Sequence, residues 1–219
     1  EYAVSVALYN KSFESIVTCD DGGFISVWDI EKGKLISKFG NAHGKGIKIT
    51  SGCFDGSERR LVSSGADASI KVWNFSNGQE ISKCEPYSEE EGKDKDKSSN
   101  KKETSKPRDR KRNIHKNTEI TDLCFISDST NNKFEFGNIL AVGWNRCIYV
   151  YPDDKNEVIN PSTILPQSDQ GVRHEDDIMS VTYSPKDNLV FTGSHEGRLI
   201  AWNFETKRAK YELHSEDST

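Results

Sequence analysis

Short runs in which apolar and polar residues alternate recur along the whole chain, always in the same order. The first run of each set is Val4 to Tyr9, Ile49 to Phe54, Ile120 to Phe125 and Ile178 to Tyr183. The second is shorter: Ile16 to Cys19, Leu61 to Ser63, Ile139 to Val142 and Leu189 to Thr192. A turn follows, then a third run that ends on an aromatic residue: Ile25 to Trp28, Ile70 to Trp73, Ile148 to Tyr151 and Leu199 to Trp202. A weaker fourth run closes the set, as in Lys34 to Phe39 or Ala209 to Leu213. Alternation over four to eight residues, bounded by turn residues, predicts half-buried β-strands. The interval from Trp28 to Trp73 is 45 residues and that from Tyr151 to Trp202 is 51. Between Trp73 and Tyr151 it is 78, which falls to 45 once the low-complexity residues 85–117 are set aside. The pattern predicts an all-β chain of four four-stranded units, at approximately 3–40, 47–84, 118–166 and 176–214.

Those aromatic-ended runs, three of them Trp28-Asp29, Trp73-Asn74 and Trp202-Asn203, resemble the WD-repeat family. The resemblance covers nearly all of the chain outside the insert, and it implies β-propeller blades. It is most specific in the second unit, where His43, Ser63, Asp67 and Trp73 match the family's structural tetrad. The residue types make physical sense: the Trp N–H donates, Ser and His both donate and accept, and Asp accepts. Such a relay satisfies polar groups that are costly to bury unpaired. The fourth unit offers His174, Thr192 and Trp202, with Glu196 where Asp is expected. The first has Thr18 and Trp28, with Asp21 one residue out of place, and the third has Ala141, Asn145 and Tyr151 in the Ser, Asp and Trp positions. His115 is not expected to complete a tetrad there. About four blades are covered, whereas the resemblance implies about seven per ring, often with rings in tandem. Neighbours stabilise repeat units, so the expectation is part of a larger propeller, consistent with a chain opening on Glu1 rather than Met.

Charge narrows the partners. A net charge of -5 gives no general reason to bind nucleic acid. Residues 85–117 hold 11 Lys/Arg and 8 Asp/Glu with almost no aliphatic side chains, a composition expected to stay disordered. Its basic run, Lys106 to Arg112, has no interleaved aromatics to stack bases, so nucleic acid is not expected as a partner. No run approaches the roughly 20 apolar residues that cross a membrane as a helix, and no basic n-region and apolar h-region open the chain. The five cysteines form no C-x-x-C pair and are expected to be reduced, buried thiols of an intracellular protein.

Candidate chemistry is sparse. His43 and His174 are taken up by the tetrad pattern, and His195 and His214 have no second ligand at metal spacing. The acidic clusters Asp20-Asp21 and Glu175-Asp176-Asp177 lack the alternating oxygens of a calcium loop. Gly22, Gly23 and Gly33 fall at turns rather than before a helix, which removes a phosphate loop. No catalytic residue, metal site or cofactor is expected, and the chain reads as non-catalytic.

In the resemblance, partners dock on the narrow face of the ring. By position that face takes Asp21, Ala66, Trp144 and His195 from the loops between second and third strands, with Lys45 and Arg173 from the lead-in loops. Trp144 belongs to no strand pattern, so it is either an exposed hot spot or a filler of the degraded third tetrad. Phe54 to Leu61, Trp73 to Gly78, Leu140 to Trp144 and Asp176 to Val181 are similar to the EF-hand-associated WD-repeat proteins of cilia and sperm flagella. That similarity implies a cytoplasmic scaffold for protein partners, axonemal or microtubule-associated. The alternative is a substrate-recruiting subunit of a ubiquitin ligase or another enzyme assembly, and a nuclear or RNA-associated adaptor using the basic insert is a third reading.

Overall fold

The computed structural model describes residues 2–85, 119–127, 137–153, 156–165 and 172–213, which form strands and turns without a helix. No helix among them is long and apolar enough to cross a membrane. The insert from 86 onward, with His115 and the basic run, and His214 lie outside the described residues.

Blade one is an antiparallel sheet of β1 (Val4–Asn10), β2 (Ser15–Asp20), β3 (Ile25–Asp29) and β4 (Lys34–Phe39) in that order. Blade two repeats it with β5 (Ile49–Phe54), β6 (Arg60–Gly65), β7 (Ile70–Asn74) and β8 (Glu80–Cys84). Blade three has β9 (Ile120–Ser127), β10 (Gly137–Gly143) and β11 (Ile148–Asp153). Blade four has β14 (Ile178–Ser184), β15 (Leu189–Ser194), β16 (Leu199–Asn203) and β17 (Arg208–Leu213). Two short strands lie between: β12 (Val158–Ile159) and β13 (Thr163–Leu165).

These last two depart from the simple repeat. After β11 the chain crosses back to blade two, where β12 pairs in parallel with β8 as a fifth strand, and only then returns as β13 on the edge of β11. The third unit is therefore not one contiguous sheet, because residues within 118–166 complete its neighbour.

The first strands line up side by side. Each is bulged near its start, where one residue is skipped in the pairing: Ser5, Thr50, Thr121 and Met179 occupy that place. A bulge turns a side chain out of the alternation, and the hydroxyls use it. Ser5 Oγ donates to the Ile49 carbonyl at 2.5 Å and Thr121 Oγ1 to the Ile178 carbonyl at 2.7 Å, each reaching into the next blade. Asp122 joins three blades: one oxygen accepts from Ser51 Oγ at 3.0 Å, the other from the Val181 amide at 2.9 Å.

Packing follows the same order. Val17, Ile25 and Val27 of blade one meet Ile49, Leu61, Trp73 and Phe75 of blade two. Val62, Ile70 and Val72 meet Leu123, Ile139 and Tyr149, and Leu140, Ile148 and Val150 meet Val181, Val190 and Trp202. In blades two and three the alternation that predicts strands thus serves two cores, one on each face. A buried ionic cluster adds to the second junction: Arg60 pairs with Asp55 at 2.9 Å in its own blade and with Asp153 at 2.7 Å in blade three.

The two end faces differ from the inner ones. Ile49, Phe54 and Phe75 of blade two pack on blade one, and Phe54 meets Phe75 edge-on. Their counterparts in blade one, Val4, Tyr9 and Ile30, are 62%, 55% and 47% exposed. On the far side of blade four, Leu199 and Leu213 are exposed where Ile70 and Cys84 are buried in blade two. Cys19, Cys84 and Cys147 are buried free thiols, while Cys53 and Cys124 are only partly covered. Burial pushes the Cys19 thiol up to about 12 and Cys124 to about 11, which keeps both as unreactive neutral groups.

Candidate functional site

The hydrogen-bond relay of blade two holds the loop between β6 and β7. Trp73 Nε1 donates to Ser63 Oγ at 2.8 Å, and Ser63 Oγ lies 2.7 Å from His43 Nε2. From there the path differs from the tetrad expected. His43 Nδ1 meets Ser69 Oγ at 2.6 Å, and Ser69 in turn donates to Asp67 at 2.6 Å. Asp67 is thus joined to His43 through Ser69, and it is exposed. Replacing Ser63, which unites two buried partners, with alanine is expected to cost about 1–3 kcal/mol in chemical denaturation. Asp67→Ala, at the open end of the relay, is expected to cost less; equal losses would contradict this ordering.

Blade four keeps half of the relay. Trp202 Nε1 donates to Thr192 Oγ1 at 2.7 Å, and His174 Nε2 lies 2.6 Å from the same hydroxyl. The rest is rewired, and Glu196 does not engage His174 as the tetrad would require. Its longer side chain accepts from the Glu175 amide and Ser194 Oγ. Arg198 stands where Ser69 does and spends its guanidinium on Glu212, so nothing continues from His174 Nδ1 among the described residues. Burial holds both His43 and His174 down to about 4, so both are neutral at pH 7.

Blades one and three solve the same problem differently. Trp28 Nε1 donates to Thr18 Oγ1 at 2.8 Å. Asp21 takes no part in that bond; it pairs with Lys48 at 3.2 Å, and Asp20 instead accepts the turn amides of Gly22 and Phe24. Phe24 stacks with Tyr2 where blade two has its serine. In blade three Asn145 Nδ2 donates to the Tyr149 hydroxyl at 2.9 Å and its Oδ1 accepts from the Cys147 amide. Both loops are held, but by an aromatic stack and an amide.

These supports place four residues equivalently on one face. The amides of Asp21, Ala66, Trp144 and His195 donate to the carbonyls of Ala3, Lys48, Glu119 and Asp177, each the residue just before its blade's first strand. The structure therefore brings the four loop residues together as a repeated row. The lead-in residues Lys45 and Arg173 are exposed, and the Arg173 carbonyl accepts from Arg198. His195 is largely open, with Nδ1 3.5 Å from Asp176. Trp144 is 54% exposed, so it does not fill the blade-three relay, whose space Asn145 and Tyr149 occupy.

No group of three metal-ligating side chains occurs among the described residues. Missing from the sequence reading are Ser69 and Asp122; a serine two residues after the relay Asp is a local signal, whereas Asp122 had none.

Comparison with known proteins agrees with this geometry. Residues 33–74 and 169–203 match the family model described as WD domain, G-beta repeat. These two stretches are similar to WD repeats. It is similar to the WD repeat-containing protein on Y chromosome of Drosophila virilis, 29% identical over 213 residues covering 93% of this chain and 14% of that protein. The Drosophila ananassae protein of that name is 28% identical over 212 residues, covering 93% and 16%, and that of Drosophila yakuba is 26% identical with the same shares. The chain thus spans about one-seventh of the length of these relatives. WD-repeat proteins generally act as protein-interaction scaffolds, and here the four blades are joined by apolar cores.

Proposed function

We propose that these WD repeats form a non-catalytic scaffold that binds a protein partner on the face built by Asp21, Ala66, Trp144 and His195, with Lys45 and Arg173 at its margin. The exposure of Trp144 carries this reading. A large aromatic held open on a hydrogen-bonded loop loses little side-chain freedom on binding and offers much apolar area, the combination found at interface hot spots. The mixed charges around it, Lys48–Asp21 and His195–Asp176, suit a polar rim.

The setting follows from the similarity to EF-hand-associated WD-repeat proteins: a structural component of the ciliary or flagellar axoneme, with microtubule-associated partners. The bare outer faces of blades one and four support a place within a larger propeller, where further blades cover them. Localisation of tagged full-length protein tests the setting. Axonemal staining with axonemal partners is expected, and diffuse nuclear staining without them would overturn it. In the same cells Trp144→Ala is expected to lower partner recovery at least tenfold, roughly the weight of a hot-spot residue, while leaving the thermal unfolding midpoint unchanged.

A further inference from the structure

Blade two is the one described blade whose outer strand is itself covered by another strand. The Lys83 amide donates to the Glu157 carbonyl at 3.0 Å and the Glu85 amide to the Ile159 carbonyl at 2.9 Å, around the two-residue parallel ladder of β8 and β12. One side chain anchors it. Ile159 is 1% exposed and packs in the core shared with Val72, Cys84, Tyr149 and Tyr151. Its neighbour Val158 is exposed. The contacts of Val158 and Ile159 described here are main-chain hydrogen bonds and the packing of one branched apolar side chain.

Ile159 packs in the same buried cluster as Cys84, a small side chain. At the equivalent place in blade one stands Phe39, which fills the space itself, 6.4 Å from the Trp73 ring and close against Gly78. Blade one therefore has an open edge but no pocket, with Lys34 and Lys38 along an exposed β4, residues that discourage pairing. Blade two has both an edge and a pocket.

We propose that the outer edge of β8 is a strand-docking site, occupied here by the chain's own residues 156–160 and able to take instead an extended segment of a partner protein. The partner segment pairs in parallel with Lys83 and Cys84 and places a branched apolar residue, Ile or Val, in the Ile159 pocket. Addition of a strand to a sheet edge draws affinity from the main chain and selectivity from alternate side chains. A ladder of two residues is short enough to open without disturbing the blade beneath it. The site lies on the outer rim, away from Trp144, so its failure leaves the proposed partner face untouched.

Amide exchange and a peptide probe test this on the whole chain. In the native protein the Lys83 and Glu85 amides are expected to exchange at least 100-fold faster than those of β7, because the covering strand opens locally. Ile159→Asp is expected to expel that strand. A labelled peptide of residues 156–162 should then bind at least tenfold more tightly than to the native chain and restore protection to Lys83 and Glu85. The same peptide with its isoleucine changed to aspartate should not bind. Should Ile159→Asp fail to fold, Ile159→Ala with the same readouts replaces it. Exchange of Lys83 and Glu85 only together with β7, or a folded variant that takes up no peptide, would overturn the proposal.

Discussion

Replacing Arg60 with alanine is expected to remove about 3–5 kcal/mol of stability, the typical cost of breaking a buried ion pair by deleting one partner. The carboxylates of Asp55 and Asp153 are almost wholly buried, and both are turned toward the guanidinium, which meets Asp153 through two nitrogens. Taking Arg60 away leaves two negative groups in the junction between blades two and three with their main counter-charge gone. Truncating the carboxylate side is less damaging, because Arg60 keeps Asp55. Urea denaturation of Arg60→Ala, Asp153→Asn and the double variant checks this. The double variant should lose clearly less than the sum of the singles, since the two residues share one interaction. Additive losses, or an Arg60→Ala loss under about 1 kcal/mol, would show that this junction does not rest on the cluster.

Acid is expected to act through the relays. His43 and His174 titrate near 6.5 in an unfolded chain and near 4 in the fold, because burial disfavours their charged forms. Above pH 6.5 both states bind the same protons and the full stability is present. As pH falls from 6.5 toward 4 the unfolded chain takes up protons that the folded one refuses, so stability declines through that window. The loss should reach about 2–3 kcal/mol for each histidine. Urea midpoints at pH 7, 5.5 and 4.5 should fall in that order. A variant carrying His43→Gln and His174→Gln should start lower and fall less steeply. A midpoint independent of pH over this range would mean that the imidazoles are not buried neutral.

Local pattern made much of this architecture legible. The run Ile49 to Phe54 and the weaker run Lys34 to Phe39 coincide with β5 and β4, because each of those strands is read by its own side chains. The Trp–Ser/Thr bonds at Trp73 and Trp202 were equally legible, since residues ten apart across a hairpin carry the motif themselves. What escaped depends on distant partners. Arg60 and Asp153 are 93 residues apart in the chain, and nothing near either one names the other. Val158 and Ile159 look like part of the third unit, yet they pair with Lys83 and Cys84 of the second, and Ile159 is buried with Cys84. Glu196 sits in the position of an Asp, but one extra methylene carries its carboxylate past the histidine to the Glu175 amide. Trp144 left two readings open until its neighbours were seen: Asn145 and Tyr149 fill the relay between them and turn the indole outward.

A photo-crosslinking amino acid placed at position 144 of the full-length protein, in extract of the cells that make it, tests the scaffold reading most directly. The account predicts covalent adducts with a small set of proteins from position 144, and few from a control at exposed Lys32 on the opposite edge of the blades. Equal labelling from both positions, or no protein adduct from position 144, would contradict it.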